Sequence, residues 1–255
     1  VILADEELDR YARHIILKEI GGDGQRRLKA ATAVIIGAGG IGSPAIQYLA
    51  AAGIGRLVIV DDDRVDASNL QRQTIFSTAS IGERKAEAAA EAAHQLNPLI
   101  ETVPVVARLD SANAASTIAE ADVVIDGSDN FDTRLTVADT AYGAHVPLVS
   151  AAVGQFDGQL ATFRGWEPDK PCYRCFVGSD PAQAGATCAD EGVLGPVTGV
   201  MGSLAALETI RAIVPFGEDT AGKLLLVDAL SWRFRTLNLP KDPGCRTCGQ
   251  QAVSA

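Results

Sequence analysis

Residues able to do chemistry gather at four points of this 255-residue chain. The first is Gly37-x-Gly39-x-x-Gly42 in "VIIGAGGIG", where an apolar strand runs into a glycine turn and then a helix. Gly37 permits the tight turn, Gly39 lets backbone approach a phosphate, and Gly42 lets the helix pack close with its N-terminal amides facing an anion. Asp61 ends the next strand, 24 positions after Gly37, where such a fingerprint places an acid for a ribose hydroxyl. Alone, these features suit a nicotinamide or flavin dinucleotide, and a packing turn without ligand is the plainer alternative.

The second point shifts the ligand. "DDDRVDASNLQRQ", residues 61–73, carries Asn69, Arg72 and Gln73, and Lys85 then opens the helix "RKAEAAAEAAHQL". Two cations on the phosphate side fit a triphosphate that loses pyrophosphate better than a dinucleotide's diphosphate. Either residue alone would pass for a solvated surface cation. The third point, "VVIDGSDNFDTR" at 123–134, brings Asp126, Asp129 and Asn130 to the carboxyl edge of the same sheet. Asp129 suits Mg²⁺ on the phosphates and Asn130 a polar neighbour, with helix capping the alternative for either.

The fourth point is a set of cysteines. "PCYRCF" and "PGCRTCGQ" place Cys172-x-x-Cys175 and Cys245-x-x-Cys248 with 69 residues between the pairs. Four thiolates so spaced make a closed tetrahedral zinc site that is structural, because no position remains for substrate. Two redox dithiols are the rival, but neither pair follows a strand into a helix as a thioredoxin-type pair does. Cys188, in "GATCADEG", stands outside the set, as a nucleophile accepting an acyl or sulfur group or as a small buried residue. "GEDTAGKL", 217–224, imitates a phosphate-binding loop, but Leu224 replaces the Mg²⁺-binding hydroxyl residue, so a surface turn is expected.

These groups need a sheet to position them. Between about 33 and 151, apolar runs "TAVIIG", "RLVIVD", "TVPVVA", "DVVIDG" and "VPLVSA" alternate with helical stretches at 43–52, 84–96, 112–121 and 132–142, which predicts a parallel α/β sheet. "GQFDGQLATF" at 154–163 then predicts a hairpin or strand pair, 197–213 a buried helix, and "GKLLLVDALSWRFRTLNL" two closing strands. Residues 178–192, small and polar, are expected to form a mobile loop. With no linker in sight, one domain is expected: an N-terminal helical segment at 1–32, a nucleotide-binding half at 33–153 and a second half at 154–255. A net charge of −10 with no basic block argues against a nucleic-acid groove. No apolar run approaches the roughly 20 residues of a membrane span, and the N-terminus is acidic where a signal peptide would be basic, so a cytosolic chain is expected.

The ordered set "RYARHI", "GAGGIGSP", "VDDDRVDASNLQRQ", "GERKAE", "IDGSDN", "PCYRCF", "TCADEGVLGPVTGVMGS" and "PGCRTCGQ" resembles the MoeB/ThiF family of ubiquitin-activating-enzyme-like adenylyltransferases. The resemblance runs from about Leu8 to Gln250. It implies binding of Mg·ATP and of the Gly-Gly tail of a small ubiquitin-like sulfur-carrier protein, whose carboxylate attacks the α-phosphate. It further implies that Gly40 and its glycine neighbours approach the nucleotide and Asp61 takes the ribose. Asp63, Ser68, Asn69, Leu70, Gln71, Arg72 and Gln73 surround the nucleotide, with Asn69, Arg72 and Lys85 on the phosphates and Asp129 on Mg²⁺. Arg13 would reach the triphosphate of a second subunit, implying a homodimer. Cys188 matches a cysteine that some members use covalently, Ala205 stands where many have glutamine, and sulfur would come from a separate donor, since no sulfurtransferase domain follows. An oxidoreductase on the same glycine turn is the competing expectation.

Overall fold

The computed structural model describes residues 2–178 and 192–249. Five strands pair in parallel: β1 (Thr32–Ile36), β2 (Arg56–Val60), β3 (Glu101–Val105), β4 (Val123–Asp126) and β5 (Leu148–Val153). Their order in the sheet is β3-β2-β1-β4-β5, and β6 (Asp157–Phe163), β7 (Lys223–Asp228) and β8 (Arg233–Asn238) continue it antiparallel. The expected α/β architecture, a mostly parallel Rossmann-like sheet extended by antiparallel strands, is therefore present. The helices are α1 (Asp5–Arg10), α2 (Ala12–Ile15), α3 (Gly21–Ala30), α4 (Gly42–Ala52), α5 (Lys85–Leu96), α6 (Ala114–Ile118), α7 (Phe131–Ala144), α8 (Tyr173–Val177) and α9 (Gly195–Ile213).

β1 is apolar without alternation because both faces of the sheet are covered. Its Ile35 joins one core with Leu49 of α4, Ala89 of α5 and Met201 of α9. Val34 and Ile36 join the other, with Ile118 of α6, Val137 of α7 and Tyr173 of α8. β3, by contrast, lies at the sheet's edge and is only partly covered. Pro104 within it has no amide to offer a neighbour, which an edge strand tolerates.

Two segments differ from expectation. Residues 154–163 do not form a hairpin of their own: the Gly154 amide donates to the Asp157 carbonyl at 2.8 Å, and that turn joins β5 to the single strand β6. α6 is shorter than 112–121 because the Asp110 carboxylate accepts from the amides of Ala112 (2.8 Å) and Asn113 (3.3 Å), holding the chain in a turn just before the helix. No helix among the described residues is long and apolar enough to cross a membrane.

From β1 the chain crosses to β2 and β3 on one side, then to β4 and β5 on the other. The carboxyl ends of β1 and β4 thus flank the crevice where open α/β sheets bind ligands. At that point the Gly127 amide donates to the Ile36 carbonyl at 3.0 Å, so the turns after the two strands lie side by side.

Candidate active site

Gly37 has φ of +91°, the left-handed region that glycine tolerates best. A Cβ at Gly42 would stand 1.9 Å from the Gly37 carbonyl oxygen, so α4 can begin this close to the turn only with glycine there. The Ala38 amide of the same turn donates to Asp61 Oδ2 at 2.8 Å, and the Asp63 amide donates to Asp61 Oδ1 at 2.9 Å. Burial pushes the Asp61 carboxyl above its ordinary value of 3.8, against the pull of these two amides and of Lys85. The acid is locked to the glycine turn, and each carboxylate oxygen keeps a further lone pair for a ligand.

Both expected cations are held by neighbours. Lys85 Nζ lies 2.9 Å from Asp63 Oδ2. Arg72 donates to Asn69 Oδ1 at 2.8 Å and to the Ser68 carbonyl at 3.4 Å. The short turn at Ala67–Asn69 that presents these acceptors is capped by Asp66, which accepts from the Ser68 amide at 2.8 Å. Gln73 is buried, and its Oε1 has no hydrogen-bond partner among the described residues.

One cleft collects Gly37, Gly39, Gly40, Asp61, Asp63, Arg72, Gln73, Lys85, Asp129 and Asn130 on its lining. Gly42, Ser68, Asn69, Leu70 and Gln71 are not brought to it. Ser68 and Asn69 grip Arg72 from behind, Leu70 packs onto the core, and Gln71 runs under α9, where a Cβ at Gly195 would meet its carbonyl at 2.3 Å. Asn130, expected on the ligand, spends its Oδ1 capping α7 by accepting from the Thr133 amide at 3.0 Å. Arg13 is exposed on α2 and absent from the lining. Cys188 lies outside the described residues, as does most of the segment expected to be mobile.

Sequence reasoning missed Thr198, Arg108 and Arg134 on the same lining. Thr198 reaches it because α9 leans on the glycine turn: a Cβ at Gly40 would meet the Thr198 side chain at 3.0 Å. Arg134, four residues after the cap of α7, turns back under the turn that follows β4. Only its spacing from Asn130 could have signalled this, because side chains early in a helix point toward its N-terminus.

Away from the cleft, Cys172, Cys175, Cys245 and Cys248 gather so that their sulfurs all lie within 4.8 Å of one another. Individual separations are 3.8 Å (Cys172 to Cys175), 3.6 Å (Cys172 to Cys245) and 3.3 Å (Cys175 to Cys248). Sulfurs placed tetrahedrally at ~2.3 Å from a zinc ion would stand about 3.8 Å apart. The cluster thus has the size of a metal site. Hydrogen bonding from Cys172 holds the Cys175 thiol down at about 5, while burial pushes Cys248 up to about 11.

The pattern of the ThiF family matches residues 11–247. The chain belongs to the ThiF family. It is 45% identical over 252 residues to the sulfur carrier protein adenylyltransferase of Thermus thermophilus, covering 96% of this chain and 92% of that one. It is 43% identical over 248 residues to the molybdopterin-synthase adenylyltransferase of Escherichia coli, covering 97% and 99%. The bovine adenylyltransferase and sulfurtransferase MOCS3 is 45% identical, and there 98% of this chain spans only 55% of the relative. Among solved structures, Escherichia coli MccB superposes with a TM-score of 0.83 at 23% identity over 97% of this chain and 74% of that one, a likeness of fold. These three relatives are named adenylyltransferases, and the oxidoreductase expectation finds no support among them.

Proposed function

We propose that the chain uses Mg·ATP to adenylate the C-terminal Gly-Gly carboxylate of a small ubiquitin-like sulfur-carrier protein, releasing pyrophosphate. The observation that carries the reading is the convergence of Arg72, Lys85 and Asp129 on one cleft around Gly37, Gly39 and Gly40. That charge pattern fits a triphosphate losing pyrophosphate better than a dinucleotide's diphosphate, and relatives over nearly the whole chain are named for this chemistry.

In this reaction the carrier's carboxylate oxygen bonds to the α-phosphorus as the bond from that phosphorus to the pyrophosphate oxygen breaks. No proton moves, because the nucleophile is already ionised, so the protein's task is positioning and charge neutralisation. Asp61 accepts from the ribose hydroxyls while the glycine turn at Gly37, Gly39 and Gly40 faces phosphate. Arg72 and Lys85 meet the charge that grows on pyrophosphate. Asp129, exposed on the cleft, offers the hard oxygen that Mg²⁺ prefers; the ion, when bound, would draw charge from the phosphate oxygens.

The four cysteines suit Zn²⁺, which would fill its coordination with thiolates and tie residues 245–248 to α8. Cysteines spaced and gathered as metal ligands, rather than as a disulfide framework, fit a cytosolic setting. Exposed Trp232 and Phe234 on and beside β8 offer the carrier an apolar face. A homodimer in which Arg13 serves the partner's site, and a separate sulfur donor, complete the proposal.

ATP–pyrophosphate exchange by the purified chain, with small Gly-Gly-ended proteins as candidate carriers, is the test. Exchange that requires the carrier supports the reading. Tight NAD binding without ATP binding in calorimetry would overturn it.

A further inference from the structure

Arg134 is, with Lys85, one of two cations on the cleft whose side chains are largely withdrawn from water, 11% exposed against 7%. The guanidinium donates to the Ser128 carbonyl, and to the Ala151 carbonyl of β5 at 3.1 Å. Nη1 lies 3.9 Å from Asp126 Oδ2, an oxygen with no hydrogen-bond partner among the described residues. Asp126 in turn uses Oδ1 to accept from the Ser128 amide at 3.0 Å and the Ser128 hydroxyl at 2.7 Å. Ser128 is therefore gripped through its amide, hydroxyl and carbonyl by one buried acid and one buried base. The next residue is Asp129.

The far side of Arg134 meets the cysteine cluster. Tyr173, between Cys172 and Cys175, sets its phenol beside the guanidinium. Its ring is wedged edge-on to Phe163 at 5.4 Å and to Phe176 at 6.2 Å. The knuckle that carries the metal ligands thus also carries a backstop for Arg134. A second contact runs parallel to it: Arg174 of α8 forms a forked pair with Asp139 of α7 at 2.8 and 2.7 Å.

We propose that Arg134 is a positioning residue for Asp129: by clamping Ser128 to β5 and Asp126, it sets the geometry in which Asp129 meets the nucleotide's divalent cation, and Tyr173 joins that clamp to the cysteine cluster. The proposal rests on Asp129 as the Mg²⁺ acid. Its size follows from other residues that orient metal ligands without touching the metal, whose loss weakens metal affinity roughly 10- to 100-fold.

The test is calorimetric titration of ATP into the purified 255-residue chain, once with Mg²⁺ and once with EDTA, to obtain the factor by which Mg²⁺ tightens binding. Arg134→Lys keeps the charge but offers one nitrogen in place of two, Nη2 that donates to the Ser128 and Ala151 carbonyls and Nη1 that faces Asp126. It is expected to shrink that factor about ten-fold while affinity in EDTA changes little. Tyr173→Phe keeps the ring packing, loses only the phenol oxygen, and should shrink the factor by less with zinc content per chain unchanged; it also serves if Arg134→Lys does not fold. In an Asp129→Asn background, Arg134→Lys should add nothing further, since the clamp acts through that acid.

If Asp129→Asn abolishes the Mg²⁺ factor while Arg134→Lys and Tyr173→Phe leave it intact, the positioning role is overturned and Asp129 keeps its own. Equal loss of affinity with and without Mg²⁺ in both variants would overturn it too, marking Arg134 as purely structural. If Asp129→Asn itself leaves the factor unchanged, the reading of Asp129 fails and the clamp's purpose fails with it.

Discussion

Lys85 and Asp63 form a lopsided ion pair: at 2.9 Å separation, the lysine side chain is 7% exposed and the aspartate 64%. The acid can swing into water when phosphate arrives, while the ammonium has nowhere else to go. The cation is thus stored at the cleft with a displaceable partner.

Replacing Lys85 by Ala therefore leaves Asp63 well solvated, and stability should change by no more than about 1 kcal/mol. The same change removes charge stabilisation from the leaving pyrophosphate, and exchange should fall by roughly 10²- to 10³-fold. Thermal unfolding and ATP–pyrophosphate exchange on one preparation check both numbers. Asp63→Asn should cost the exchange rate far less than Lys85→Ala.

Asp61 gives a pH dependence with a definite sign. Its folded value lies above the ordinary 3.8 because burial disfavours the charge, so the native state holds this proton more firmly than the unfolded chain. Below 3.8 the group does not penalise folding; as pH rises through its raised value, ionised Asp61 progressively costs stability. Nucleotide binding runs the other way, because the ionised form accepts from the ribose. ATP affinity measured by calorimetry should weaken on acidification at pH values above those at which an ordinary aspartate protonates, and Asp61→Ala should abolish that inflection.

Arg13 is the clearest test of assembly. Arg13→Ala and Arg72→Ala should each be inactive, yet a mixture refolded or exchanged together should recover exchange activity. With random pairing, roughly a quarter of sites would combine an intact Arg72 with an intact Arg13 from the other subunit. No recovery, with mixed dimers demonstrated by mass spectrometry, would place Arg13 outside a shared site.

Stripping metal from the four cysteines with a chelator should free residues 241–249 from α8 and lower stability by more than about 2 kcal/mol. Amide hydrogen exchange locates the loosening, and Cys248→Ser should mimic it with metal present. Protection unchanged on removal would argue against a metal staple.

The sheet was legible because buried parallel strands leave apolar runs, as in "TAVIIG" and "RLVIVD", and because Gly37 and Gly42 sit where only glycine fits. That Asp61, Lys85 and Asp129 share one cleft was legible as well, each lying beside a strand's end or at a helix's start. Leu70, implied by the resemblance, sits off the cleft lining: a run of motif residues does not all face one way, and the short helical turn before it sets this one against the core. Arg134 was invisible for the opposite reason. An arginine in the first turn of a helix reads as solvated, and only the return of β5 beside β4 shows that its carbonyl acceptors lie underneath.

β8 closes the sheet with six consecutive exposed residues and an outer edge that, among the described residues, no other strand covers. Such an edge is a template on which another chain can stack. Arg233 and Arg235 stand on it, and their charges repel a like strand in register, whereas Phe234 between them and Trp232 at 84% exposure attract apolar surface. Like charges set opposite each other across an edge disfavour pairing with an identical strand, so the residues of β8 themselves work against open-ended stacking of one copy on the next.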